Sequence, residues 1–252
     1  MADIILGSGK LYWDQENGAG NLSGHEIYLA ETPGLALTAS PERVEDWSSD
    51  GKIAEKHLDV AVKLTRDISF SIKDITLTNL ALFLIGTRAD IVQAATPIIG
   101  EVLTNSSVQG TYLQIGVNAS GARGMSAVVI DDDATPAVLD TDYSLDEALG
   151  RIYIIPGGGI VDGSVLDADY TPTVNTREQV TTDQLGAKFG ALRFISDNTD
   201  GAERDYYWPK VSLNPDGELA LKSRDSVQEM TFAGAVATRT GFAQVYIDAR
   251  AV

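Results

Sequence analysis

Cysteine is missing altogether from the 252 residues, histidine occurs twice, and lysine and arginine together number 19 against 36 aspartates and glutamates. Each shortage removes a class of function. Without thiols there are no disulfides, no cysteine nucleophile and few zinc schemes. With a formal charge of -17 and no segment in which cations cluster, the surface repels DNA, because nucleic-acid binding depends on neutralising phosphates. The longest purely apolar run, Leu80 to Ile85, is far short of the roughly 20 residues that span a bilayer. The opening MADIILGSGKLYWDQ lacks the basic start and sustained apolar stretch of a secretory signal. A soluble chain made in a cytoplasm, with no membrane insertion, is the expectation.

Groups that could do chemistry are equally scarce. His25 lies in a loop beside Glu26 and His57 begins a strand, and neither has a nucleophile motif or metal spacing near it. Asp131, Asp132 and Asp133 lack the alternating oxygen ligands and central glycine of a calcium loop, so a plain acidic turn is expected. The glycine-rich stretch Ile155 to Ile160 has neither the Lys-Ser/Thr of a P-loop nor dinucleotide spacing, and is expected to join two strands. Tyr206, Tyr207 and Trp208 could stack bases, but with no cations around them they are better core or interface anchors. The chain is therefore expected to be no enzyme, with no catalytic, cofactor-binding or metal-binding residues and no cofactor.

What is present is β patterning. Val211 and Leu213 alternate with polar neighbours, as do Leu219 and Leu221, and Asn214-Pro215-Asp216-Gly217 between them has hairpin-turn chemistry. Along residues 57–74, Leu58, Val60, Val62, Leu64, Ile68, Phe70 and Ile72 share one face and Asp59, Lys63, Asp67 and Lys73 the other. Arg66 and Asp67 mark either a turn or a bend in one long strand. A short helix follows, capped by Thr76 and ended by Gly86. Its stripe of Leu77, Leu80, Ala81, Leu84 and Ile85 is expected to pack on a sheet. Leu82 and Phe83 then fall off the stripe, to be covered by another loop of this chain or by a neighbouring subunit. Residues 30–56 have few periodic signals and suggest a long loop or arm, which needs a functional reason. Residues 106–172 form a hairpin-rich elaboration, with further strands at 190–196 and beyond 228. A single domain over residues 1–252 accommodates all of this.

The segment YYWPKVSLNPDGELALKSRDSVQEMTFAG resembles the C-terminal portion of the major tail tube proteins of long-tailed, siphovirus-type bacteriophages. ILGSGKLYWD is similar to their N-terminal strand and PERVEDWSSDGK to the segment entering their long inter-ring loop. DITLTNLALFLIG is similar to their helix, and DYSLDEALGRIYIIPGGGIVDGSVLDADY to the hairpin many of them insert. The resemblance implies a mainly β, β-sandwich tail-tube fold with one flanking helix, whose inner sheets join into a β-barrel across a hexameric ring. Stacked rings would form a hollow tail in the virion through which DNA passes without specific binding. Partners would be further copies of the chain and the tail-tip, tape-measure and tail-terminator proteins. On this reading Asp59, Lys63, Asp67 and Lys73 are candidates for the lumen. Glu42, Arg43, Glu45, Asp46 and Trp47 are candidates for a ring-stacking arm, and Leu82 and Phe83 for a subunit contact. The alternative is an acidic β-sandwich decoration or adhesin module on a virion or cell surface.

Overall fold

The computed structural model describes residues 5–182 and 186–250. Seventeen strands and one helix occur among them, so the protein is mainly β. In chain order these are β1 (Gly9–Gln15), β2 (Ile27–Tyr28), β3 (Gly34–Trp47), β4 (Lys56–Ile72), α1 (Leu77–Phe83), β5 (Thr87–Gln93), β6 (Ile98–Thr104), β7 (Tyr112–Gln114) and β8 (Met125–Asp132). There follow β9 (Thr135–Pro136), β10 (Tyr143–Asp146), β11 (Arg151–Ile154), β12 (Leu166–Pro172), β13 (Asn175–Thr181), β14 (Lys188–Ser196), β15 (Arg204–Pro215), β16 (Met230–Val236) and β17 (Tyr246–Ala249). Where the composition called for one domain, the chain divides into two compact units. One comprises residues up to Arg88 and from Val180 onward, and the other is Ala89–Gln179. The elaboration expected at 106–172 lies within the second unit, which has a hydrophobic core of its own.

The first unit is built on an antiparallel sheet in the order β2-β1-β14-β15-β16-β4-β3, with β17 also pairing with β15. This sheet is open and does not close into a barrel within the chain. One face carries the core: Leu11 and Trp13 from β1, Ile68, Phe70 and Ile72 from β4, Trp208, Val211 and Leu213 from β15, and Met230 and Phe232 from β16. Phe70 and Phe232 are register partners whose rings stack at 5.1 Å. Each such side chain stabilises the fold by about 1.5–3 kcal/mol through removal from water. Trp208 is buried and stacked on Tyr206 at 5.7 Å, an anchor of the core.

One expectation changes here and one open choice is settled. Gly217 has the positive φ of +96° that the turn chemistry called for, yet the strand returning along β15 is β16, not residues 218–222. Leu221 is exposed and Leu219 only packs partly against the core. Two alternating leucines are too short a signal to compete with Met230, Phe232 and Gly234, which complete a buried stripe against β15. Along residues 57–74 there is no turn at Arg66 and Asp67, and β4 is one strand of 17 residues.

The buried side of the helix only partly matches its expected stripe. Asn79, Ala81, Leu82, Phe83 and Gly86 are buried and Leu80 packs partly against the core, while Leu77 and Leu84 are exposed. Leu82 and Phe83, the candidate subunit contact, therefore belong to the core of their own unit, where Phe83 meets Phe232 edge-on at 5.6 Å. Asn79 made the buried side look polar. Its amide is spent inside the chain, donating to the Asp74 carbonyl at 3.0 Å. Thr76 caps the N-terminus as expected, accepting from the Asn79 N–H. At the other end Ile85, not Gly86, takes the left-handed conformation, with φ 53°. The Ile85 N–H donates to the Leu82 carbonyl and the Gly86 N–H to that of Ala81, the paired bonds of a Schellman ending. Glycine is needed at 86 for another reason: a Cβ there would lie 2.4 Å from the Thr181 carbonyl oxygen.

The second unit contains the sheets β10-β11-β7 and β6-β12-β8-β9. Its core includes Ile115, Ile130, Ile152, Ile154, Leu166 and Tyr170. The glycine-rich stretch joins β11 to β12 and wraps the Asp142 carboxylate, which accepts from the N–H groups of Gly159 at 2.5 Å and Val138 at 2.8 Å. These bonds hold the Asp142 carboxyl below its ordinary value, against the opposing effect of desolvation. A depressed folded value adds stability above the unfolded value of 3.8, and this is lost as pH falls through the folded value. We expect Asp142→Asn, which turns one acceptor toward an N–H as a donor, to lower the melting temperature by several degrees at neutral pH. The gap should shrink in scans below pH 3.8. The three consecutive aspartates end β8 in a turn, with Asp133 at φ 46° accepting from the Val165 N–H.

Candidate assembly surface

Residues expected to form a loop between 30 and 56 are mostly strand. β3 pairs with β4 along its whole length, from Gly34 opposite Ser71 to Trp47 opposite Lys56. Only the inner part of this hairpin lies on the core, and from Ala39 to Trp47 and Lys56 to Leu64 both strands are exposed. The result is a two-stranded arm. Polar spacing hid it because a ribbon wetted on both sides need not alternate.

The arm is organised by a register shift. Ala61 pairs with Arg43 and Lys63 with Glu42, which leaves Val62 as an extra residue on β4. Such a bulge re-aims the side chains beyond it, so the strict alternation read along residues 57–74 does not carry through. Beyond the bulge, Arg43, Glu45, Lys56 and Asp59 form one network: Arg43 to Asp59 at 2.5 Å, Lys56 to Glu45 at 2.7 Å and Lys56 to Asp59 at 3.3 Å. The Arg43 hydrogen bond holds the Asp59 carboxyl below its ordinary value, with desolvation opposing. Lys63 faces Glu42 at 3.6 Å. Exposed pairs of this kind contribute little stability singly, but together they neutralise the arm. Val44 and Val60 are cross-strand partners, and with Leu58, Val62 and Leu64 they leave large aliphatic side chains about half exposed.

At the tip, the Lys56 ammonium sits 5.1 Å from the Trp47 ring centre. Trp47 is 52% exposed and Ile53, in the turn, 83%. Asp46 pairs in register with Leu58. The five arm candidates, Glu42, Arg43, Glu45, Asp46 and Trp47, thus stand on one exposed strand. The lumen candidates do not form one group. Asp67 stays on the inner half of β4, Lys63 stands on the exposed arm just inside the bulge, Asp59 joins the network beyond the bulge, and Lys73 lies past the strand, 3.5 Å from Glu31.

Sequence reasoning missed the face that Asp67 belongs to. On the side of the sheet away from the core, Asp67, Ser69 and Ser71 of β4 register with Ala235, Ala233 and Thr231 of β16, and on the other flank with Thr38, Ala36 and Gly34 of β3. Ser212 and Asn214 of β15 continue the row. Nearly every side chain on this four-strand surface is small. Alternation of small polar residues was the available signal, but only the strand order puts these segments side by side.

A groove of about 510 Å³ opens in the same unit, walled by Leu35, Leu37, Phe194, Tyr206, Trp208 and Arg204 among others. Beyond it, β3 is an edge strand of 14 residues, with no neighbouring strand on that side among the described residues.

The class defined by these features is a mainly β protein with an open sheet and a protruding, ion-paired hairpin. The chain belongs to the family described as "Protein of unknown function UCP028589", which it matches over residues 4–241. No curated protein matches it.

Proposed function

We propose that this protein is a structural subunit that assembles into a hollow tube, as the resemblance to the major tail tube proteins of long-tailed phages implies. The observation that carries the reading is the sheet's smooth outer face, bearing Ala36, Thr38, Ser69, Ser71, Ser212 and Ala233, together with a long open edge at β3. A lumen that DNA must slide through needs small side chains and few cations, since each paired phosphate releases counterions and holds the strand. An open edge strand is a liability in a monomer and is removed when a neighbouring copy pairs with it. Six such sheets joined in a ring would close a β-barrel across subunits, each subunit adding a β-sandwich flanked by its helix. Asp67 would then lie toward the lumen, Lys63 at the base of the arm, and the rest of the arm toward the next ring. Tail-tip, tape-measure and tail-terminator proteins would set where the tube starts, how long it grows and where it stops, and the virion is where it would reside.

Electron microscopy of the purified chain tests this. Hollow filaments are expected at high concentration, and added salt should favour them by screening repulsion among chains of charge -17. Compact monomers under every condition, tail-tip complex included, would overturn it. Small closed oligomers would point instead to the decoration or adhesin module.

A further inference from the structure

Resting on that assembly reading, we propose that the arm tip of one copy plugs into the groove of a second copy, with Ile53 and Trp47 as the anchors. Ile53 and Trp47 are the tip's exposed large apolar side chains, and exposure of this kind at the end of a projecting ribbon calls for a partner. The groove has the volume of a ligand site and walls of the matching chemistry, with Leu35, Leu37, Phe194, Tyr206 and Trp208 around it. An apolar anchor buried in such a pocket is what concentrates binding energy at interfaces.

Plug and groove cannot meet within one chain. Leu37 lies in the groove wall and Trp47 at the far end of the same extended strand, which puts them about 33 Å apart at roughly 3.3 Å per residue. An arm tip that fills the groove must therefore belong to another copy.

Charge favours that partner. Residues 34–66 hold five Lys and Arg against six Asp and Glu, while the rest of the chain holds 14 against 30. The arm is the part of this acidic protein that can approach a second copy with little repulsion. Because plug and socket are different surfaces, the contact is heterologous and repeats without closing on a pair.

The absence of native cysteine makes the test direct. Full-length Lys52→Cys and Ala202→Cys variants, which keep both anchors, are mixed under mild oxidation, with Lys52→Cys plus Leu221→Cys as the control. Ala202 lines the groove, Lys52 is exposed beside Ile53, and Leu221 is exposed in a loop elsewhere. The groove pair should crosslink about 10²-fold faster or more, since docking raises the local concentration from micromolar to millimolar. Equal rates in samples that sediment as assemblies would overturn the docking and leave the tube reading standing. Crosslinked pairs from the groove combination without any filament by microscopy would support the docking and remove the tube. A chain that sediments as a monomer and crosslinks without preference would remove both.

Discussion

Phe83→Asp, and Leu82→Asp beside it, are expected to leave the first unit unfolded, whereas Leu84→Asp should be folded and close to wild type in stability. Phe83 and Leu82 are in the core with Phe70, Phe232 and Trp208, while Leu84 is 41% exposed. Removing the Phe83 ring alone costs about 3–5 kcal/mol in a packed core. An aspartate adds the penalty of burying an unpaired polar or charged group, and the total falls within the roughly 5–15 kcal/mol that holds a typical domain together. Circular dichroism and urea titration of the three variants decide the matter. A well-folded monomer from Phe83→Asp that fails only in assembly would mean that a neighbouring subunit, and not this chain, covers the ring.

The second large effect concerns assembly with the fold kept intact. Replacing residues 43–62 by Asn-Gly joins Glu42 to its register partner Lys63 through a two-residue hairpin turn. Cutting back to position 32, as a free loop would allow, is ruled out because Leu35 of β3 packs against the core. The shortened chain should unfold within about 1 kcal/mol of wild type, since exposed residues contribute little and each halving of a loop saves only about 0.6 kcal/mol of closure entropy. It should form no filaments under conditions in which the full chain does. Normal tubes from this variant would show that the arm takes no part in assembly.

How much of this was legible in the sequence follows from the range of each signal. Alternation over β4, β14, β15 and β16, the cap at Thr76, the positive φ at Gly217 and the mainly β class are local properties, set by side-chain size and backbone sterics within a few residues. The scarcity of cations and the lack of cysteine are properties of composition alone. What lies against what was not local. Asn79 masked the buried face of the helix, because the amide's partner is a carbonyl that only the folded turn brings near. The polar segment after residue 34 is a strand because β4 offers it an edge, and the bulge at Val62 separates Asp59 from Asp67 although the period of two unites them. The partner of β15 had to be chosen between two candidates, and the longer apolar stripe of β16 prevailed because it buries more area. Groove and small-residue face are made of strands distant in the chain, and their existence depends on sheet order. Sequence determined which segments could be strands and how few cations any surface could carry. Tertiary structure decided which side chains are buried and which are left for a partner, because burial depends on neighbours that arrive only when the chain has folded.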